Sequence, residues 1–149
     1  MNAPDLFKSA DREAIRSAVF AAEQLTSGEI RVYIDDECKT DVLDRAAFVF
    51  AELGMQNTEL RNGVLIYIAM RDHKFAIIGD AGIHKQVGDP FWSKVREEMG
   101  NHFREGKFTE GIRFAVTETG KKLKEFYPRS AADINELPDD MIFGKGDQG

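Results

Sequence analysis

Residues 64–70 read Val-Leu-Ile-Tyr-Ile-Ala-Met, seven positions without a charge or a turn former. Four of the seven are β-branched or aromatic. A short, continuous apolar run of this kind suits a strand buried on both faces, not an amphipathic element. Such a strand needs a covering layer on each side, which restricts the chain to layered architectures. Arg71-Asp72-His73 reads as a tight turn. Residues 74–79, KFAIIG, read as the returning strand of a hairpin, although Asp-His lacks the glycine of an ideal two-residue turn.

The flanking segments supply the layers. Phe7, Ile15, Ala18, Val19, Ala22 and Leu25 recur at helical spacing and predict a helix over 7–26, stopped at Ser27-Gly28. Ile30, Val32 and Ile34 alternate with Arg31 and Tyr33, which predicts a strand. Asp41 is a suitable N-cap for a helix from about Val42 to Leu53, closed by Gly54. A short turn or helix is predicted at 83–88, and further helices from Asp89-Pro90 with Asp as the cap and from about Thr109 to Phe126 before Pro128. Phe91, Val95 and Met99 are expected inward, and Phe91-Trp92 is read as core packing. The first two strands are joined by a helix and so are expected to be parallel, with the third antiparallel to the second. The expected fold is α/β: a small mixed sheet flanked by helices on both faces, a three-layer sandwich.

With 149 residues the chain is long enough to bury a core without a metal or disulfide, and Cys38 is its one cysteine. Residues 1–127 are read as the folded domain and 128–149 as an acidic tail. From Tyr127 onward, Asp133, Glu136, Asp139, Asp140 and Asp147 face only Arg129 and Lys145. The stretch 134–143, with Ile134, Leu137, Met141, Ile142 and Phe143, is expected to dock on the body, and 144–149 to be disordered. A net charge of −6 and the lack of a basic, aromatic-interleaved run argue against a nucleic-acid partner. No run approaches the ~18 apolar residues of a membrane span, so no direct membrane insertion is expected. The first fifteen residues turn acidic early and do not read as a leader, so a cytoplasmic monomer is the simplest expectation.

Strand direction sorts the polar motifs to two edges of the sheet. The edge where the parallel strands start collects Glu29, Asn62 and Asp80, hard oxygen ligands set among Gly28, Gly63, Gly79 and Gly82. The opposite edge collects Asp35, Asp36, Glu37, Asp72 and His73, and fold rules favour it, since ligands in open α/β sheets bind beyond the carboxyl ends of the strands. Either set suits a divalent cation, and either is also ordinary turn chemistry or a solvated acidic loop. Consecutive acids in a strand point to opposite sides, so only one of Asp35 and Asp36 is expected at any common site. Gly79-Asp80-Ala81-Gly82 is not a G-x-G-x-x-G pattern and no phosphate-loop lysine follows, so a nucleotide is not expected. His73, His84 and His102 fall in separate elements without zinc-ligand spacing.

Three motifs in order, Thr26–Val32, Arg61–Ile68 and Phe75–Gly82, resemble the TPM domain family over roughly residues 8–127. That family includes thylakoid-lumen proteins linked to photosystem repair and many bacterial proteins. Phe91-Trp92 and Asp133–Leu137 look like a soluble bacterial subgroup. The resemblance implies an α/β sandwich and, as in some members, divalent-cation binding, with Ca²⁺ preferred over Mg²⁺. It also implies the acid phosphatase activity proposed for the plant branch. By motif, Asn62 and Asp80 match the family's Asn-Gly and Gly-Asp positions, Glu29 a less uniform one, and Asp72 the hairpin acid. Three readings follow. The preferred one is a divalent-cation binding domain using Asp80, Asn62, Glu29, Asp35, Asp36 and Asp72. The alternatives are a metal-assisted phosphomonoesterase, with Asp80 or Asp72 as nucleophile or water activator, and a protein-interaction module without catalysis acting through the aromatic helix and the acidic tail. Catalysis ranks below binding because no Asp-x-Asp pair is present.

Overall fold

All seven residues of strand β2, Gly63–Ala69, are buried in the computed structural model, which describes residues 2–129 and 141–147. On one side β2 pairs in parallel with β1, Glu29–Asp35, from Glu29 against Gly63 to Asp35 against Ala69. On the other it pairs antiparallel with β3, Lys74–Gly79. The expected parallel pair and hairpin are both present. The helices are α1 Ser9–Glu23, α2 Val42–Glu52, α3 Ala81–Gln86, α4 Asp89–Arg104 and α5 Phe108–Phe126.

The pleat divides the sheet's side chains between two cores. Ile30, Val32, Ile34, Val64, Ile66 and Ile68 point to one face and pack with residues of α1, α4 and α5 such as Ile15, Val19, Met99, Ile112 and Val116. Leu65, Tyr67 and Ala76 point to the other and pack against Ala46, Val49 and Phe50 of α2. This is the expected three-layer arrangement. Each fully buried aliphatic side chain contributes about 1.5–3 kcal/mol over its exposed state, so the double-sided burial of β2 dominates the cohesion of the sheet.

The elements differ from the sequence reading in five places. A fourth strand, β4 at Met141–Gly144, runs parallel to β1, with Val32 opposite Met141 and Asp35 opposite Gly144, giving the order β3-β2-β1-β4. Three apolar residues before a glycine are too few for a periodicity to reveal a strand. Of the closing segment, 144–147 lie within the described residues; Ile134, Leu137 and 148–149 do not. Secondly, Phe7 and Leu25 lie outside α1, and Leu25 is exposed. Thirdly, Gly88 and not Asp89 is the N-cap of α4, with Asp89 and Pro90 in its first turn. Fourthly, Trp92 points into the core while Phe91 stands edge-on to it, half-buried, at 5.0 Å between ring centres. Finally, the hairpin loop holds four residues, Met70–His73, and closes through a left-handed backbone at His73 (φ 55°).

Charge as well as apolar contact holds α2 to the sheet. The Asp35 carboxylate, fully buried, accepts from Arg45 Nε at 2.9 Å and from the Tyr67 hydroxyl. Burial, reinforced by the bond to Asp35, pushes the Tyr67 hydroxyl far above its ordinary range. Burial works against the Arg45 charge, but its hydrogen bond to Asp35 outweighs that and raises it. Asp35→Ala is expected to cost about 3 kcal/mol, the low end for breaking a buried pair, because the Arg45 side chain keeps 13% exposure and can recover some water. Tyr67→Phe is expected to cost about 1 kcal/mol. Urea unfolding followed at Trp92 measures both, and equal costs would overturn this account of the anchor.

Candidate functional site

At the starting edge the antiparallel return of β3 brings the second and third turns together. The Asp80 backbone N–H donates to the Gly63 carbonyl at 2.9 Å, and Gly82 N–H donates to the Arg61 carbonyl at 2.9 Å. The approach is close: a Cβ on Gly82 would sit 2.3 Å from the Leu60 carbonyl oxygen, so only glycine fits. Asp80 caps α3 through Ala81 N–H at 2.7 Å. The same carboxylate is held by Arg61, with Nε to Oδ2 at 2.6 Å and Nη2 to Oδ1 at 2.8 Å. Arg61 adopts a left-handed backbone (φ 52°), which turns its carbonyl towards the α3 N-terminus and its side chain towards Asp80. Asn62 is buried, and its Oδ1 has no hydrogen-bond partner among the described residues. Glu29 belongs to a separate buried group: its Oε2 lies 3.5 Å from Arg31 Nη2, and Arg31 also donates to Glu23 Oε2 at 3.0 Å.

At the opposite edge every acid singled out from the sequence has a partner in the chain. Asp35 holds Arg45 and Tyr67. Asp36 turns the other way, as consecutive strand residues must, and accepts from Ala3 N–H at 2.6 Å. Glu37 pairs with Arg71 at 2.5 Å. Asp72 accepts from Cys38 N–H at 2.6 Å. Lys74 Nζ donates to the carbonyls of Cys38 and Thr40, each at 3.0 Å, so an ammonium sits on the oxygens of the acidic loop. Asp147, beyond β4, accepts from Lys39 N–H at 2.7 Å and from the Thr40 hydroxyl. His73 lines the hairpin, while His84 and His102 lie in α3 and α4.

Among the described residues no group of three or more His, Cys, Asp or Glu side chains is placed to hold a metal ion. As paired, Asp80 fits a divalent ion only after Arg61 leaves it. Arg45, Tyr67 and Lys74 are the partners that sequence reasoning missed. The available signal was a polar residue inside an otherwise apolar pattern: Tyr67 in the central run and Arg45 within the apolar helix.

The surface outside these edges holds a third feature. On α2, Leu43, Ala47, Phe48 and Ala51 are exposed, with Leu43 at 59% and Phe48 at 55%. They form one stripe at helical spacing, opposite the buried Ala46, Val49 and Phe50. Arg45 lies over the Phe48 ring at 5.6 Å. Asp44 lies within this stripe by helical spacing, and Asp41 and Glu52 are exposed at its two ends. None of the helices described is long and apolar enough to cross a membrane.

The TPM domain model matches residues 2–122. The solution NMR structure of the BA42 protein from the psychrophilic bacterium Bizionia argentinensis is similar at 40% identity and a TM-score of 0.86, over 93% of this chain and 95% of that one. The N-terminal domain of a P. gingivalis protein is similar in fold at 19% identity and a TM-score of 0.69, over 84% of this chain and 82% of that one. The N-terminal domain of a Corynebacterium glutamicum protein shares the fold at 13% identity and a TM-score of 0.61, over 89% of this chain and 83% of that one. No curated protein matches the chain.

The loop holding Asp147 has a defined pH response. The Thr40 hydroxyl bond lowers the Asp147 carboxyl below its ordinary 3.8; burial opposes this, and the Lys39 N–H adds to the lowering. A group lowered in the folded state stabilises it above the unfolded pKa, and that contribution is lost as pH falls through the folded value. The protection factor of the Lys39 amide, its exchange rate corrected for the intrinsic pH dependence, is therefore expected to hold at pH 4 and to fall only below the ordinary carboxylate range. Asp147→Ala should remove that transition; a transition unchanged in the variant would reject Asp147 as its source.

Proposed function

The chain belongs to the TPM domain family, and from that premise we propose that it acts as a protein-interaction module whose docking face is the outer side of α2. The single observation behind this reading is that α2 exposes Leu43, Ala47, Phe48 and Ala51 on the side away from the sheet. An exposed apolar stripe with a polar rim marks an interaction surface. The rim selects the occupant. Two copies of α2 laid together would bring Asp44 and Glu52 of one against the same acids of the other, a like-charge contact that opposes self-association. The partner that fits carries an apolar stripe flanked by Lys or Arg. The acids at the sheet edges fit this reading, since Asp80 serves as a helix cap held by Arg61 and Asp72 as a loop tie.

An amphipathic model peptide with a leucine stripe flanked by lysines tests the docking face. Titrated into labelled protein, it is expected to shift residues 43–52 saturably and to bind about tenfold or more tightly than the same peptide flanked by glutamates. Leu43→Asp combined with Phe48→Asp should abolish those shifts while changing stability by no more than about 0.5 kcal/mol. Equal affinity for the two peptides, or shifts outside α2, would reject the reading.

A second reading, divalent-cation binding at the starting edge, is favoured by the buried Asn62 Oδ1, which has no hydrogen-bond partner among the described residues and belongs to the residue before Gly63, whose carbonyl accepts from Asp80 N–H. The cation would compete with Arg61 for the Asp80 carboxylate, with Ca²⁺ accepted over Mg²⁺ because its coordination is less rigid. Arg61→Gln should then tighten Ca²⁺ binding, seen as saturable amide shifts at 28–30, 61–63 and 80–84 at lower ion concentration than in the natural chain. No saturable shift in either protein at millimolar ion would end this reading.

A further inference from the structure

On the face of the sheet away from α2, a cavity of about 130 Å³ opens between the β2–β3 hairpin and the corner joining α4 to α5. Its walls are aromatic and aliphatic. Phe75 and Phe103 meet edge to face at 5.2 Å, Phe103 and Phe108 lie at 5.5 Å, and Ile68 contributes from the buried strand. Two features separate this cavity from an ordinary packing gap. Gly100 lies inside α4, where glycine is a poor helix former, and it is one of the lining residues. A Cβ there would stand 3.7 Å from the Phe75 ring and 3.3 Å from Arg104 Nη1, so any larger side chain would fill the space the glycine leaves. The second feature is charge: His73, Lys74 and Arg104 line the cavity, and among the described residues no Asp or Glu does, in a chain of net charge −6.

The three bases are not equivalent. The Lys74 ammonium is committed to the Cys38 and Thr40 carbonyls. Arg104 is exposed at the mouth and makes a hydrogen bond to Asn101 through Nη2, leaving Nη1 over Gly100. His73 is held at the mouth by its left-handed turn conformation. An apolar cavity of ~150 Å³ accepts a benzene ring, so the volume here suits one ring. A planar guanidinium at the mouth suits a carboxylate. We propose that this cavity is a binding site for a small aromatic monocarboxylate, its ring among Phe75, Phe103 and Phe108 and its carboxylate on Arg104, with His73 beside it.

Benzoate and toluene are the probes, followed by amide shifts in the full chain. Benzoate is expected to give saturable shifts confined to 68–75 and 100–108. Arg104→Gln should weaken benzoate by about tenfold and leave toluene within about twofold, as expected when one charge-assisted contact is removed from an otherwise apolar site. Gly100→Val should abolish both. Gly100→Ala, the milder change, should weaken both, and an unchanged circular dichroism spectrum and a melting temperature no lower than that of the natural chain would show that the fold is kept. The proposal is overturned if benzoate gives no saturable shift at these residues at tens of millimolar, or if Arg104→Gln leaves benzoate affinity unchanged. It is also overturned if a folded Gly100→Val protein binds as well as the natural chain.

Discussion

Both backbone edges of β2 are taken, by β1 and β3, and all seven of its side chains are buried. Polar chemistry near the centre of the molecule is therefore confined to the two ends of that strand. The parallel pairing of β1 fixes which residues meet at each end, and the reversed direction of β3 brings Asp80 back beside Asn62 and Gly63. The Arg61–Asp80 pair, the Asp35–Arg45–Tyr67 anchor and the hairpin cavity are all consequences of that register. A one-residue slip of β1 would turn Asp35 away from α2 and into the opposite core.

What each end does with its carboxylates follows from the cost of burial. A buried carboxylate without a partner is expensive, and the chain answers with a cation, a hydroxyl or a backbone N–H in each case described. Asp80 takes two guanidinium nitrogens and a helix N-terminus, Asp35 an arginine and a tyrosine, and Asp36 a backbone amide, while the exposed Asp72 also accepts from one. These pairings stabilise turns and tie elements together. The acidic clusters that look like ligand sets in sequence are thus, as paired in the fold, mostly the fixed ends of loops.

The layers and the strand order β3-β2-β1 were legible because they rest on strong local signals: a doubly apolar run, an alternating strand and capped helices. The Asp41 cap on α2 is an example, accepting from Leu43 and Asp44 N–H groups. The fourth strand was not legible. Met141–Gly144 is only four residues, and its pairing depends on contact with β1, more than a hundred positions earlier. The acids themselves could be assigned to edges from strand direction alone. Their partners could not, because Arg61 reaches Asp80 only through a left-handed backbone that nothing in an arginine predicts. The outer stripe of α2 was not legible in the letters Val42–Glu52, where Asp44, Arg45 and Glu52 interrupt the apolar residues and give an amphipathic pattern with one buried side.

The two apolar surfaces, the α2 stripe and the hairpin cavity, lie on different layers yet share one support. The β1–α2 loop rests on the hairpin through Met70 N–H to the Asp35 carbonyl, Arg71 N–H to the Asp36 carbonyl, Cys38 N–H to Asp72, and Lys74 to Cys38 and Thr40. A support this heavily bonded has little freedom to rearrange. The cavity is therefore preformed, and filling it incurs little ordering cost. The same rigidity limits communication between the surfaces, because a ligand shifts an equilibrium only by its differential affinity for two states. The hairpin is bonded from both strands and the loop, so the proposed cavity ligand and the proposed α2 partner are expected to bind independently.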